Sequence, residues 1–132
     1  MREILFRGKR MDNGEWVYGD LMHKHYNFDT KATKVIHNNV MKYKVIPETI
    51  GQHTGLTDKN GKRIFEGDIL AFTDRLTRVE WHDYCGCWDC IYIKSVNGYS
   101  TKADKRVPSK WKHNGEIIGN IHDNPELLKG GA

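Results

Sequence analysis

Apolar and polar positions alternate along this chain in short stretches with a period of two. Ile4 and Phe6 fall on one side of an extended segment and Leu5 and Arg7 on the other, because successive strand side chains point to opposite faces. Trp16, Val17, Tyr18 and Leu21 follow the first break. Met41-Lys42-Tyr43-Lys44-Val45 alternates apolar with basic, the pattern of a strand with one wet face. Residues 69–72, 79–81, 90–93 and 117–121 supply further candidate strands. No stretch holds a period of 3.6, so helix is expected to be scarce.

Four Asn-Gly pairs punctuate these stretches: Asn13-Gly14, Asn60-Gly61, Asn97-Gly98 and Asn114-Gly115. Tight type I′ turns need positive φ at both central residues, which Asn and Gly tolerate best, so each pair predicts a hairpin. Asn124-Pro125-Glu126-Leu127-Leu128 predicts a helical turn, with Asn as cap and Pro in the first turn. A second turn is expected around Pro47-Glu48-Thr49. The segment from Asn13 through Gly19-Asp20-Leu21 is echoed from Asn60 through Gly67-Asp68-Ile69, with one extra residue before the second Gly-Asp. An inserted residue beside Gly in a strand predicts a β-bulge, and the Asp side chain is expected to satisfy turn amides.

The totals fit this picture. The chain has 132 residues, enough for one domain or two small lobes, and it is 38% hydrophobic with four Trp, six Tyr and four Phe to fill a core. Its 29% charged residues and net charge of +4 suit a soluble protein and permit, without demanding, an anionic partner. The run Ile4-Leu5-Phe6 is too short for a signal peptide, and no stretch reaches membrane-spanning length. The expectation is a cytoplasmic protein without a membrane partner, its three cysteines reduced.

Three blocks carry a family likeness. The first is Phe6-Arg7-Gly8-Lys9 with Gly14-Glu15-Trp16-Val17-Tyr18-Gly19. The second runs from Val45-Ile46-Pro47-Glu48-Thr49-Ile50-Gly51-Gln52-His53-Thr54-Gly55-Leu56, through Asp58-Lys59-Asn60-Gly61, to Ile64-Phe65-Glu66-Gly67-Asp68-Ile69. The third is Ile118-Gly119-Asn120-Ile121 with Asn124-Pro125-Glu126-Leu127. Together they resemble the YopX family of phage and prophage proteins. The resemblance implies a mostly β structure with a barrel-like C-terminal part, working in a bacterial host cell, and it carries over no catalytic residues. The resulting expectation is a mainly β, hairpin-rich fold of small barrel-like antiparallel sheets with one or two helical turns. It is a single domain over 1–132, divisible into an N-terminal hairpin lobe over about 1–46 and a barrel-like lobe over about 47–128.

Chemistry is sparse. His82, Cys85, Cys87 and Cys90 offer zinc-type ligands, yet all four lie within nine residues, whereas structural zinc sites draw a second pair from elsewhere. The preferred reading is a hairpin tip or strand edge with reduced thiols and no cofactor. His23 and His25, on one face of an extended segment near Asp20, could build a metal or general acid–base site, against the plainer reading of solvated loop histidines. His53 and His122 have no nucleophile or carboxylate pair to serve. Lys102, Lys105, Arg106, Lys110 and Lys112 gather around Trp111, with Tyr99 before them. Charge for phosphate and rings for base stacking make a single-strand-binding surface, against the plainer reading of a solvated loop. The leading expectation is a non-catalytic phage or prophage accessory protein that self-associates or binds a phage or host protein. Nucleic-acid binding and a small metalloprotein or unrecognised enzyme are the alternatives.

Overall fold

The computed structural model describes residues 4–24, 33–37, 42–96 and 115–129, with only the backbone of His23, Lys24 and Thr33. Among them the fold is almost wholly antiparallel β, with two single 3₁₀ turns as the helical content. The chain divides into two compact units, Met1–His53 and Thr54–Ala132.

The first unit holds β1 (Phe6–Lys9), β2 (Trp16–Lys24), β3 (Thr33–His37), β4 (Lys42–Lys44) and the start of β5 (Gly51–Thr57), in the spatial order β4-β3-β2-β1-β5. Lys9 lies opposite Trp16 and Arg7 opposite Tyr18. Asp20 pairs with His37, and His37 with Lys42. Val35 and Ile36, on opposite faces of β3, are both buried, as is Val45. Gly8 lets the chain close here: a β-carbon on it would stand 3.0 Å from Val45 Cβ. The 3₁₀ turn Pro47–Thr49 then docks on β1, where Thr49 Oγ1 accepts the Lys9 N–H at 2.9 Å and donates to the Ile46 carbonyl at 2.6 Å.

In the second unit the end of β5 meets β6 (Arg63–Phe65). A four-stranded sheet follows in the order β10-β7-β8-β9, built from β7 (Asp68–Ala71), β8 (Arg75–His82), β9 (Cys87–Ser95) and β10 (Glu116–Asn120). Its core is Ile64, Leu70, Val79 and Cys90, with Leu56, Phe72, Trp88 and Ile117 packed around them. The second 3₁₀ turn is Pro125–Leu128.

Several expectations change in detail. The sheets do not close into a barrel among the described residues; β10 and β9 are opposite edges of the four-stranded sheet, and a barrel would need its first and last strands to pair. The two described Asn-Gly reversals are not two-residue turns. Arg10 N–H donates to Glu15 O and Gly14 N–H to Arg10 O, leaving a four-residue loop. Asp58 N–H donates to Lys62 O and Gly61 N–H to Asp58 O, leaving three. Longer loops are closed by one left-handed residue, and Gly14 (φ 73°) and Gly61 (φ 83°) supply it. Asn97-Gly98 and Asn114 lie outside the described residues.

The internal echo is not an echo of structure. Gly19 sits within β2 opposite Phe6, while Gly67 (φ 90°) turns the chain from β6 into β7. The extra residue goes into that turn rather than a bulge. Asp68 does hold the turn, its Oδ2 accepting the Phe65 N–H at 2.7 Å. The bulges fall elsewhere, one between Ile117 and Gly119 and one where Leu76 and Thr77 meet β9. The first leaves Ile118 exposed beside half-buried Ile117. Asn124 precedes its turn as expected but makes no cap bond there; its Oδ1 accepts the Asn120 N–H instead.

Candidate functional site

The cysteine cluster comes apart on the β8–β9 hairpin. Residues three apart on a strand face opposite sides, so Cys87 and Cys90 cannot converge as a pair. Cys87 lies opposite His82 and Cys90 opposite Val79. Cys90 is 4% exposed and part of the core. Burial, with a smaller contribution from Asp89 and against a hydrogen bond with Thr77, pushes its thiol pKa up to about 12. Such a thiol stays protonated and inert. Cys85 and Cys87 remain at the exposed tip. His82 Nδ1 accepts the Cys85 N–H at 3.1 Å, so that ring nitrogen is engaged in holding the turn. No group of three His, Cys, Asp or Glu side chains among the described residues could hold a metal ion.

Other candidates have structural positions. His53 is buried on β5, its N–H donating to Leu5 O at 2.7 Å, and the His122 N–H donates to Asn120 Oδ1 at 3.0 Å. Asp20 stands exposed on β2. His25, Tyr99, Lys102, Lys105, Arg106, Lys110, Trp111 and Lys112 lie outside the described residues.

Buried polar chemistry in the second unit centres on a residue the sequence patterns did not single out. Asp58 Oδ1 accepts the N–H groups of Asn60 and Lys62, each at 2.9 Å, and its Oδ2 accepts that of Ile117 at 3.0 Å. Burial pushes the carboxyl pKa up, but the amides of Ile117, Lys62 and Asn60, with the Lys62 charge, outweigh it and hold the carboxyl below its ordinary value. With its acceptor capacity directed at backbone, Asp58 binds the β5–β6 loop to β10. It is a clasp for the fold.

The first unit presents the surface with chemistry to offer. Strand register places Arg7 and Lys9 of β1, Trp16, Tyr18 and Asp20 of β2, His37 of β3, and Lys42 and Lys44 of β4 on one face of the sheet. The Arg7 guanidinium lies over the Trp16 ring at 4.5 Å from its centroid, and the Lys9 ammonium at 5.6 Å. Arg7 is buried, so it fixes the indole from beneath the surface. Tyr18, next along β2, is 46% exposed. Lys42 and Lys44 are exposed, while Tyr43 between them is half-buried. Among the described side chains the face thus carries four cations and one carboxylate, with two adjacent aromatic rings at one end and, at the other, Met22 and the buried Val35 beside Lys44. The apolar–basic alternation over 41–45 and the Arg7-x-Lys9 spacing were its legible signals; that distant segments share one face required the register.

Comparison with known proteins agrees with this fold. A family model described as "YopX protein" matches residues 5–129. The chain is similar to the crystal structure of protein EF1440 from Enterococcus faecalis, with a TM-score of 0.55 and 21% identity over 98% of this chain and 100% of that one. At that identity the likeness is one of fold. No curated protein matches the chain.

Proposed function

We propose, from the premise that the chain belongs to the YopX family, that it is a non-catalytic phage or prophage accessory protein that binds single-stranded nucleic acid. The face formed by Lys9, Trp16, Tyr18, Lys42 and Lys44 carries this reading. Lys42 and Lys44 on β4, with Lys9 on β1 across β2 and β3, offer charge for a phosphate backbone, and adjacent rings suit unpaired bases, which stack without regard to sequence. Two residues along one strand set Lys42 and Lys44 about 7 Å apart, an interval that successive phosphates of an extended polynucleotide can follow.

Fluorescence anisotropy with a labelled single-stranded oligonucleotide tests this. The Tyr18→Ala variant should bind at least about fivefold more weakly, the loss of one stacking platform. Replacing Lys42 and Lys44 together by Ala should weaken binding and flatten the salt dependence by about 1.4 logarithmic units, two phosphate contacts at the single-strand slope. Unchanged affinity in both variants, or no binding by the native protein at low salt, sinks the reading. Loss on replacing Lys102, Lys105, Arg106, Lys110 and Lys112 by Gln, with the sheet-face variants unaffected, would move the site to that segment.

A second reading, self-association, is favoured by the β8–β9 hairpin. Trp81 (44% exposed) meets Trp88 edge to face at 5.1 Å, and Tyr84 at the tip is 95% exposed. Exposed aromatics on a hairpin suit docking to a second copy. Light scattering of the native protein should give at least a dimer mass that falls when Trp81 and Tyr84 become Ser; a strict monomer at high concentration ends this reading.

A further inference from the structure

Cys85 and Cys87 have separate prospects from Cys90. Both are exposed, and both are registered on one residue. His82 pairs with Cys87 across the hairpin, while its Nδ1 accepts the Cys85 N–H at 3.1 Å and its carbonyl accepts the Gly86 N–H at 2.8 Å. The two cysteines are thereby held on either side of Gly86 in a short reversal. Gly86 adopts φ 63°, and a β-carbon placed there would meet no atom within 4 Å, so open space surrounds the link. The Cys87 thiol pKa is held above its ordinary value by desolvation first and then by the neighbouring charges of Cys85 and Asp89.

We propose that Cys85 and Cys87 form a dithiol modification site that closes reversibly into an intraloop disulfide on reaction with a low-molecular-weight disulfide. The chemistry is two exchanges. One protein thiolate attacks the S–S bond of the small disulfide RSSR, forming a mixed disulfide and releasing RS⁻. The second protein thiolate then attacks the protein sulfur of that mixed disulfide, closing the Cys85–Cys87 bond and releasing a second RS⁻. The two thiol protons end on the two departing RSH molecules; the protein is oxidised by two electrons and RSSR reduced by two. Pre-positioning on His82 favours the second step over accumulation of the mixed disulfide. A ring this small is strained, and strained, exposed disulfides are readily reduced, which makes the modification reversible. Cys90, in the core on the opposite face, takes no part. The closed link adjoins Tyr84 and so ties thiol chemistry to the aromatic tip of the hairpin.

The test treats the full chain with excess glutathione disulfide at mildly alkaline pH, followed by mass spectrometry and peptide mapping. The native protein should lose two hydrogen masses, with the bond mapped to Cys85 and Cys87, a free thiol at Cys90, and full reversal by dithiothreitol. The Cys87→Ser variant should instead retain glutathione at Cys85. Two separate glutathione adducts on the native protein, bonding to Cys90, or both tip cysteines left as thiols would each overturn the proposal.

Discussion

In the second unit Asp58, Asp68 and Asn120 are buried, and each side chain accepts backbone N–H groups. In the first unit Lys42, Lys44 and Tyr18 stand on exposed sheet surface. A buried acceptor saturated by amides has nothing left for a partner. A cation or ring on an open face costs little to keep there and can be desolvated by whatever docks. The contrast separates polar residues that specify the turns from those that offer a contact.

The largest test of the contrast is Asp58→Ala. Three backbone donors, those of Asn60, Lys62 and Ile117, would lose the buried carboxylate that accepts them in part-buried hydrogen bonds. Hydrogen bonds to a charged group contribute about 1.5–3 kcal/mol each, so a loss of about 3 kcal/mol or more is expected. For a unit of this size that lowers the melting temperature by roughly 15 °C. The carboxyl also sets a pH dependence. Its folded pKa lies below the ordinary value, so its stabilisation is fully present above the unfolded carboxyl value of about 3.9 and is lost as pH falls through the lower folded value. Asp58→Asn should lack that acid-side component. A melting temperature within a few degrees of native for Asp58→Ala would mean the clasp holds little.

Much of this was legible in the chain, for identifiable reasons. Strands with one wet face announce themselves, as residues 41–45 do, because alternation survives in the sequence. β3 was not expected because Val35 and Ile36 are buried on both faces, which erases alternation. β5 was missed for a different cause: Gly51-Gln52-His53-Thr54-Gly55-Leu56-Thr57 contains two glycines and few β-branched residues. Asn-Gly located two described reversals but not their type, since one left-handed glycine serves three- and four-residue loops as well as tighter ones. The cysteine spacing suggested convergence that strand geometry forbids. Asp58 could have been suspected as an Asx acceptor two residues before Asn60-Gly61, yet its bond to Ile117, 59 residues on, is a product of tertiary structure alone.

A smaller effect sharpens the comparison between the units with one substitution made twice. Gly14 and Gly61 both adopt positive φ, and a β-carbon on either would meet nothing within 4 Å, so Ala at each position probes backbone strain without a clash. A non-Gly residue in the left-handed region costs about 1 kcal/mol. At Gly61 the flanking amides of Asn60 and Lys62 are held by Asp58, so the loop has little freedom to relax and that strain should register in full. Both loops are exposed, but around Gly14 the side chain that takes a flanking amide is Asn13 of the loop itself, accepting the Glu15 N–H at 2.9 Å, rather than a buried carboxylate. The four-residue loop can thus shift together with its acceptor towards a conformation that Ala accepts. Gly61→Ala should therefore destabilise by about 1 kcal/mol and Gly14→Ala by about half as much, read as denaturation midpoints at constant slope. Equal losses would show that the Asp58 clasp does not stiffen its loop, and the distinction drawn between held and displayed polar residues would fail at the place where it is strongest.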